Sequence, residues 1–462
     1  MNQLVEAAPT QAQAHGASPG TIDAVRRQMF LDFCAVLESH GIAYVILSGY
    51  QGYPDRIDSD IDFMVSEADF TRLPALLNGL GAVAGTQLVQ IVQHGITACN
   101  YIIARKLGNR VAYLHPDSAF NFRSNGRLRL RGDVVLTTRR KAQAGFWIPA
   151  AAVEFDYYVV KRVDKALVES RHLDQLADLL AEDPAGCRAV LARLAPESMR
   201  DGLGNAIAAR DVAWFARNRS ELQRMLAGNL SRETLGERIA SRGLEWLRRL
   251  RRILRPTGLV IAVLGPDGSG KTTVIEHLER ELAPAFRRVI RYHLRPHFGA
   301  ASGGAVVTDP HGQKPRGHLA SAAKVGVFIV DYWMGWLRWV YPAKVRSSLV
   351  VFDRYYHDML VDPARYRLPR GSFLQRWAAG LVPRPDIWLI LHAQPEALVA
   401  RKGEITLEAA QNLSRDYRQL AYKLGASLID TGRSLDDTLT EAVKVPLDYL
   451  GARVQRRIGT WQ

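Results

Sequence analysis

The stretch VLGPDGSGKTT, residues 263–273, carries the plainest chemistry in the chain. Gly265, Gly270, Lys271 and Thr272 have the spacing Gly-x-x-x-x-Gly-Lys-Thr, with an apolar run before it and a helical pattern after it. Glycines let consecutive backbone N–H groups close around phosphate oxygens, and the start of a helix adds its positive end. Residues Gly265, Pro266, Gly268, Ser269, Gly270, Lys271, Thr272 and Thr273 are therefore expected to bind the phosphates of a nucleotide. Lys271 should reach the β- and γ-phosphates and Thr272 should hold a metal ion, so ATP and Mg²⁺ are the expected cofactors. Further on, SSLVVFD ends an apolar strand at Asp353, beside Arg354 and Tyr355. A carboxylate at a strand end next to such a loop can hold Mg²⁺ or accept a proton, and an arginine can clamp a phosphoryl group in transit. Arg401 and Lys402, in VARKGEITLE, form a cationic segment that can close over reacting phosphates.

A second constellation lies near the start. Ser48-Gly49 ends an apolar run, and Asp60-Ile61-Asp62 opens another. Carboxylates two apart on a strand share a face. Such a pair can grip Mg²⁺ and orient a nucleoside triphosphate for attack at its α-phosphate. Asp117, in YLHPDSAF, is the candidate for a third metal-binding carboxylate, and Lys161 on the helix FDYYVVKRV can meet the triphosphate.

The elements that must position these residues follow from patterning. From Leu259 onward strands alternate with helices, which gives an α/β unit with a parallel sheet flanked by helices. Its five expected strands are LVIAVLG, RRVIRYHL, SSLVVFD, DIWLILHA and ASLIDTG. Residues 21–190 mix helices with AYVILSG, IDFMV, RVAYLH and a QLVQIVQ–ACNYIIAR hairpin turned at His94-Gly95, an α+β pattern. Residues 191–256 read as a basic helical connector and 1–20 as a disordered lead-in without signal-peptide character. In the connector, Leu244, Trp246, Leu247, Leu250, Ile253 and Leu254 fall on one side, with Arg248, Arg249, Arg251, Arg252 and Arg255 mostly on the other. Two readings stand: an apolar side packed on the protein with arginines in water, or peripheral contact with an anionic membrane through 242–255. Val325–Pro342 is expected as a helix buried against the sheet, membrane association being its alternative.

The chain has 462 residues and a formal net charge of +15, which favours acidic partners. A nucleotide donor with a small anionic or sugar-containing acceptor fits, as does a homodimer. No DNA-reading element accompanies the basic residues, so no DNA partner is expected. Cys34, Cys99 and Cys187 are scattered, which argues against a disulfide framework and for a cytoplasmic protein.

The segment from about 259 to 450 resembles the thymidylate kinases, within the P-loop nucleoside monophosphate kinases. The resemblance rests on GPDGSGKTT, on DRY at 353–355, on PRPDIWLIL, on RKGE and on SLIDTG. It implies transfer of the γ-phosphate of ATP to dTMP or a related acceptor, with Asp267 as the loop carboxylate, Lys271 on the phosphates, Asp353 and Arg354 as the catalytic pair and Arg401 in the closing segment. After DRY the chain departs from the family pattern, reading Tyr356-His357-Asp358. The acceptor site is expected near 292–317 and 353–366, with His293, Arg295, His297 and Lys314 as candidates.

The first block resembles the nucleotidyltransferase superfamily through its Ser-Gly turn and Asp-x-Asp strand, with Tyr50 where a small residue is usual. The pair of domains looks like proteins of bacterial surface-polysaccharide pathways. That likeness implies a sugar or glycan as an alternative acceptor and a bifunctional enzyme. A nucleotide-gated binding module without catalysis is the third reading.

Overall fold

The computed structural model describes residues 19–80, 85–124, 127–165, 168–228, 235–296, 317–366, 368–369, 372–402 and 406–459. The expected lead-in falls largely outside these residues, as do His297 and Lys314.

The first sheet contains β1 (Tyr44–Ile46), β2 (Ile61–Val65), β3 (Thr86–Gly95), β4 (Ala98–Leu107), β5 (Arg110–Leu114) and β6 (Pro116–Ala119), in the order β1-β2-β6-β4-β3 with β5 beside β4. Two short ribbons follow, β7 (Asn121–Ser124) with β8 (Arg127–Arg131) and β9 (Arg140–Lys141) with β10 (Trp147–Ile148). The second sheet holds β11 (Leu259–Leu264), β12 (Val289–His293), β13 (Leu349–Asp353), β14 (Ile387–His392) and β15 (Ser427–Asp430). All its pairs are parallel, in the order β12-β13-β11-β14-β15, as the strand and helix alternation predicts. β11 is buried at every position because helices cover both faces. The phosphate-loop strand is thus the central one, and the loop leaves its carboxyl end, where open α/β sheets bind ligands.

Helices from Ala151–Lys165 through Arg219–Gly228 pack around one core of their own, including Phe155, Leu173, Leu191, Leu203 and Leu226. The boundary expected at 190/191 falls inside the helix Pro184–Leu194. Apolar periodicity marked the helices but could not say which of them share a core.

Alternation along β3 and β4 gives the first sheet two apolar faces. Leu88, Tyr101 and Ile103 face the helices Pro19–Ser39 and Glu67–Gly79. Val89, Ile102 and Ala104, with Val111 and Tyr113 of β5, share a second core with Val274, Leu278, Val443 and Leu447. Those last residues belong to the helices Lys271–Leu282 and Leu435–Ile458 of the C-terminal half. Glu281 is the polar centre of this junction. β5 is paired only with β4, and Glu281 accepts the free Val111 N–H at 3.0 Å. Glu281 also pairs with Arg110 at 3.0 Å, and its backbone carbonyl accepts the Tyr113 hydroxyl at 2.8 Å. Glu281→Ala strands the Val111 N–H and takes the carboxylate from Arg110 and Arg280. It should lower stability by about 1–3 kcal/mol, read as an earlier midpoint in urea unfolding.

Two helical expectations need correction. The stretch Val325–Pro342 is only half buried. Phe328 and Tyr332 face the core, while Val327, Val330, Trp333 and Leu337 lie exposed, because the helix His318–Gly335 packs one side on the sheet and its other side is left largely open among the described residues. The connector helix Leu235–Leu254 leaves its apolar side in the open and turns Arg248 and Arg252 inward, while Arg249 and Arg251 stay exposed. Leu247 and Leu254 are 53% and 69% exposed, whereas the Arg248 side chain is 11% exposed. Arg248 donates to the carbonyl of Gln93 at 2.8 Å and Arg252 to that of Val345 at 2.8 Å. The Gln93 carbonyl lies near the end of β3 and that of Val345 at the negative end of the helix Tyr341–Val345. Among the described residues no helix is long and apolar enough to cross a membrane.

Candidate active site

The phosphate loop is shaped by backbone requirements. Gly265, Gly268 and Gly270 have φ of 150°, 81° and 85°, values that L side chains rarely adopt. A Cβ on Gly265 would also come within 2.9 Å of the Leu391 carbonyl oxygen, so the loop lies tight against β14. Lys271 opens the helix Lys271–Leu282, and its ammonium folds back to donate to the carbonyls of Gly265 at 2.9 Å and Pro266 at 2.7 Å. Burial, and then the neighbouring Arg354, press its pKa down to about 8. Thr272 and Thr273 are exposed on the first turn. Ser269 is fully buried, and its hydroxyl finds no hydrogen-bond partner among the described residues.

Register delivers the catalytic candidates. Val263 of β11 pairs with Asp353 of β13, and the Arg354 N–H donates to the Val263 carbonyl at 3.0 Å. Asp353 and Arg354 therefore stand alongside the loop. Asp353 lies 3.4 Å from both Arg291 and His293. Burial acts to raise its carboxyl, but His293, Arg291 and Lys271 outweigh that and hold it below the usual carboxylate range. Arg354 has φ of 72°, which turns its side chain back over the loop. It donates to Asp267 on the loop and to Asp358 at 2.7 Å. Burial opposes its charge, but Asp358 wins and holds the guanidinium protonated. Asp267 is shared by Arg354, by Arg365 at 2.8 Å and by Lys271 at 3.5 Å. Three cations from three parts of the chain thus converge on one carboxylate at the loop.

The sequence did not single out roles for Asp358, Arg365 or Tyr417. Asp358 is wholly buried and accepts from Arg354, from Tyr366 at 2.8 Å and from Tyr417 at 2.6 Å. Its separation of four from Arg354 was a readable signal; nothing local announces Tyr417. Of the acceptor-side candidates, His293 lies by Asp353, while Arg295 pairs with Asp331 at 2.6 Å and stacks on Phe328. Arg401 and Lys402 end the helix Pro395–Lys402, but their side chains lie outside the described residues.

In the first sheet, β2 and β6 run parallel with Asp62 directly opposite Asp117. Pro116–Ala119 is a strand in its own right, which brings Asp117 to the pair. Lys161 binds Asp62, His94 lies 2.8 Å from Asp117, and His115 lies 3.8 Å from Asp60. Burial, Asp117 and Asp62 raise the Asp60 carboxyl above its ordinary value. Asp60, Asp62 and Asp117 each have a basic neighbour, and among the described residues no group of three or more His, Cys, Asp or Glu side chains is placed to hold a metal ion. Asp62, Asp117, Lys161, Lys165, Arg242 and Arg249 line a cavity of about 860 Å³, with the connector helix along one wall.

Gly49 turns at φ of 78°, and the Tyr50 hydroxyl donates to Glu154, which also accepts from Gln175 at 2.6 Å. Burial pushes Glu154 from 4.5 to about 7. Its folded pKa exceeds its unfolded one, so the folded state binds the extra proton and stability falls as pH rises from about 4.5 to 7. Glu154→Gln should flatten that part of the stability profile, measured by urea unfolding across the range.

No family model matches the chain. The chain is similar to the thymidylate kinase of Xanthomonas euvesicatoria pv. vesicatoria (strain 85-10), 29% identical over 209 residues, covering 44% of this chain and 88% of that protein. It is also similar to the thymidylate kinase of Xylella fastidiosa (strain M23), 26% identical over 219 residues, covering 44% of this chain and 96% of that one. This homology lies in the C-terminal half. Similar solved structures include a thymidylate kinase from Candida albicans, at 17% identity and TM-score 0.30 over 40% of this chain and 88% of that one. Another is a thymidylate kinase from Ehrlichia chaffeensis, at 17% identity and TM-score 0.29 over 41% and 97%. Scores of that size carry no weight for the fold.

Proposed function

We propose that the C-terminal half is a kinase that moves the γ-phosphate of ATP to a small acceptor, a nucleoside monophosphate such as dTMP being the first candidate. The observation that carries this reading is the convergence of Lys271, Arg354 and Arg365 on Asp267 beside the phosphate loop. A cluster that holds one carboxylate so firmly is suited to the charge of a transferring phosphoryl group. The similarity to thymidylate kinases over this half supports the same chemistry.

The residues suit ATP and Mg²⁺. The loop amides and Lys271 would hold the phosphates, and the exposed Thr272 hydroxyl with Asp353 would hold the metal, which when bound neutralises phosphate charge. Asp353 stays ionised and is ready to accept a hydrogen bond from the attacking group. Arg354, fixed by Asp358, orients the phosphoryl oxygens, and Arg365 adds a second cation from the acceptor side. Incubation with labelled ATP, Mg²⁺ and a panel of dTMP, other nucleoside monophosphates, sugars and glycans tests this directly. A labelled dTMP product is expected. A labelled sugar or glycan instead would keep the kinase and replace the acceptor. ATP binding without turnover on the whole panel would favour a nucleotide-gated binding module.

A second activity, nucleotidyl transfer in the first half, is favoured by the pairing of Asp62 with Asp117 in a cavity whose lining includes Arg123, Lys161, Lys165, Arg242 and Arg249. It predicts release of pyrophosphate that is lost in an Asp60→Asn, Asp62→Asn double variant; release unchanged in that variant rules it out.

A further inference from the structure

We propose that the junction between the two halves binds an amphiphilic phosphate, a phosphate or pyrophosphate carried on an apolar chain. A cavity of about 650 Å³ lies there, within the size range of small-molecule sites. One part of its lining is cationic. Arg248, Arg251 and Arg252 come from the connector helix, Arg255 from just beyond it, and Arg453 and Arg457 from the helix Leu435–Ile458. The other part is apolar and includes Phe70, Val89, Ile91, Phe120, Leu244 and Val454. Glu67 is the one acidic side chain in that lining.

Arg248 pairs with Glu245, but Arg252, Arg453 and Arg457 are held by neutral acceptors. Arg453 is 7% exposed and donates to the carbonyls of Gly258 at 2.8 Å and Thr257 at 2.6 Å. Arg457 donates to Pro256 at 3.0 Å and Arg252 to Val345 at 2.8 Å. Such bonds fix the guanidiniums without cancelling their charge. Burial, and then Arg457, lower Arg453 to about 10, a sign that like charges are crowded there. An anion relieves that crowding, and a cluster of this size suits more than one negative charge. Guanidiniums match phosphate geometry with paired N–H donors. The apolar wall beside them selects a phosphate with a hydrocarbon portion over a bare ion or a sugar phosphate.

The test uses the full chain and octyl phosphate, with octanol, inorganic phosphate and phosphatidic acid vesicles as separate arms in titration calorimetry. Octyl phosphate should bind at least about tenfold more tightly than octanol or inorganic phosphate. Arg251→Glu with Arg255→Glu, both on exposed positions, should weaken octyl phosphate about tenfold while ATP affinity is unchanged. Hydrogen exchange on the unaltered protein gives an independent readout. Octyl phosphate should protect amides in 248–257 and 453–457. Equal affinity for inorganic phosphate, binding to vesicles but not to octyl phosphate, full affinity in the double variant, or protection confined to 265–273 would each overturn the proposal.

Discussion

Replacing Lys271 with alanine should lower phosphoryl transfer by about 10²–10³-fold while leaving the protein folded. The side chain is the only loop residue whose charge lies between the Gly265 and Pro266 carbonyls and the Asp267 carboxylate. Its loss removes a donor from the reacting phosphates and leaves the buried Gly265 and Pro266 carbonyls without that donor, at a cost of about 1–3 kcal/mol that the relief of Arg354 from a like-charged neighbour partly offsets. Steady-state turnover with the acceptor found in the panel, together with ATP binding and a thermal melt, separates the two effects. Undiminished turnover in Lys271→Ala would sink the kinase reading. A pH dependence accompanies it. The ammonium is charged below about 8 and loses its proton above that value. ATP affinity of the resting protein should therefore weaken as pH rises through about 8, and the Lys271→Ala variant should show no such step.

Asp358→Ala should be the most destabilising single change near the site, by about 3–5 kcal/mol. The carboxylate is wholly buried, and removing it leaves the Arg354 charge with Asp267 alone and leaves the Tyr366 and Tyr417 hydroxyls without their acceptor. Turnover should fall as well, because Arg354 then keeps only Asp267 to fix its position. Tyr417→Phe removes one of the three donors and should cost only about 1 kcal/mol. If the two variants unfold at the same urea concentration, Asp358 is not the anchor of this network. A turnover loss in Asp358→Ala matched by the much milder Tyr417→Phe would argue against a role through Arg354.

Both predictions turn on residues of unequal legibility. Lys271, Asp353 and Arg354 could be read because each sits in a local pattern: a glycine-spaced loop, or the end of an apolar run. The five strands of the second sheet were readable for the same reason, since strands buried on both faces are continuous apolar runs. Arg365 and Tyr417 were not, because they meet Asp267 and Asp358 only after the chain has closed over long sequence separations. Asp117 lay between. Its residue type suggested a partner for Asp62, but Pro116 made its strand look finished until the parallel register with β2 was seen. The connector helix shows a different limit. Periodicity separated its leucines from its arginines and could not say which side the protein would cover. The outcome was set by carbonyls at Gln93 and Val345 that the helix's own sequence does not contain.

The core shared by β3, β4, β5 and the helix Lys271–Leu282 has a thermodynamic consequence. Val274 and Leu278 belong at once to the scaffold of the phosphate loop and to the contact surface of the first sheet. Any opening that frees β5 must also loosen the first turns behind Lys271, so the two halves form one cooperative unit rather than beads on a string. Binding at either end then deepens the same free-energy well. A nucleotide on the phosphate loop should slow amide exchange in Arg110–Leu114, and a ligand in the first half should slow it in Lys271–Leu282.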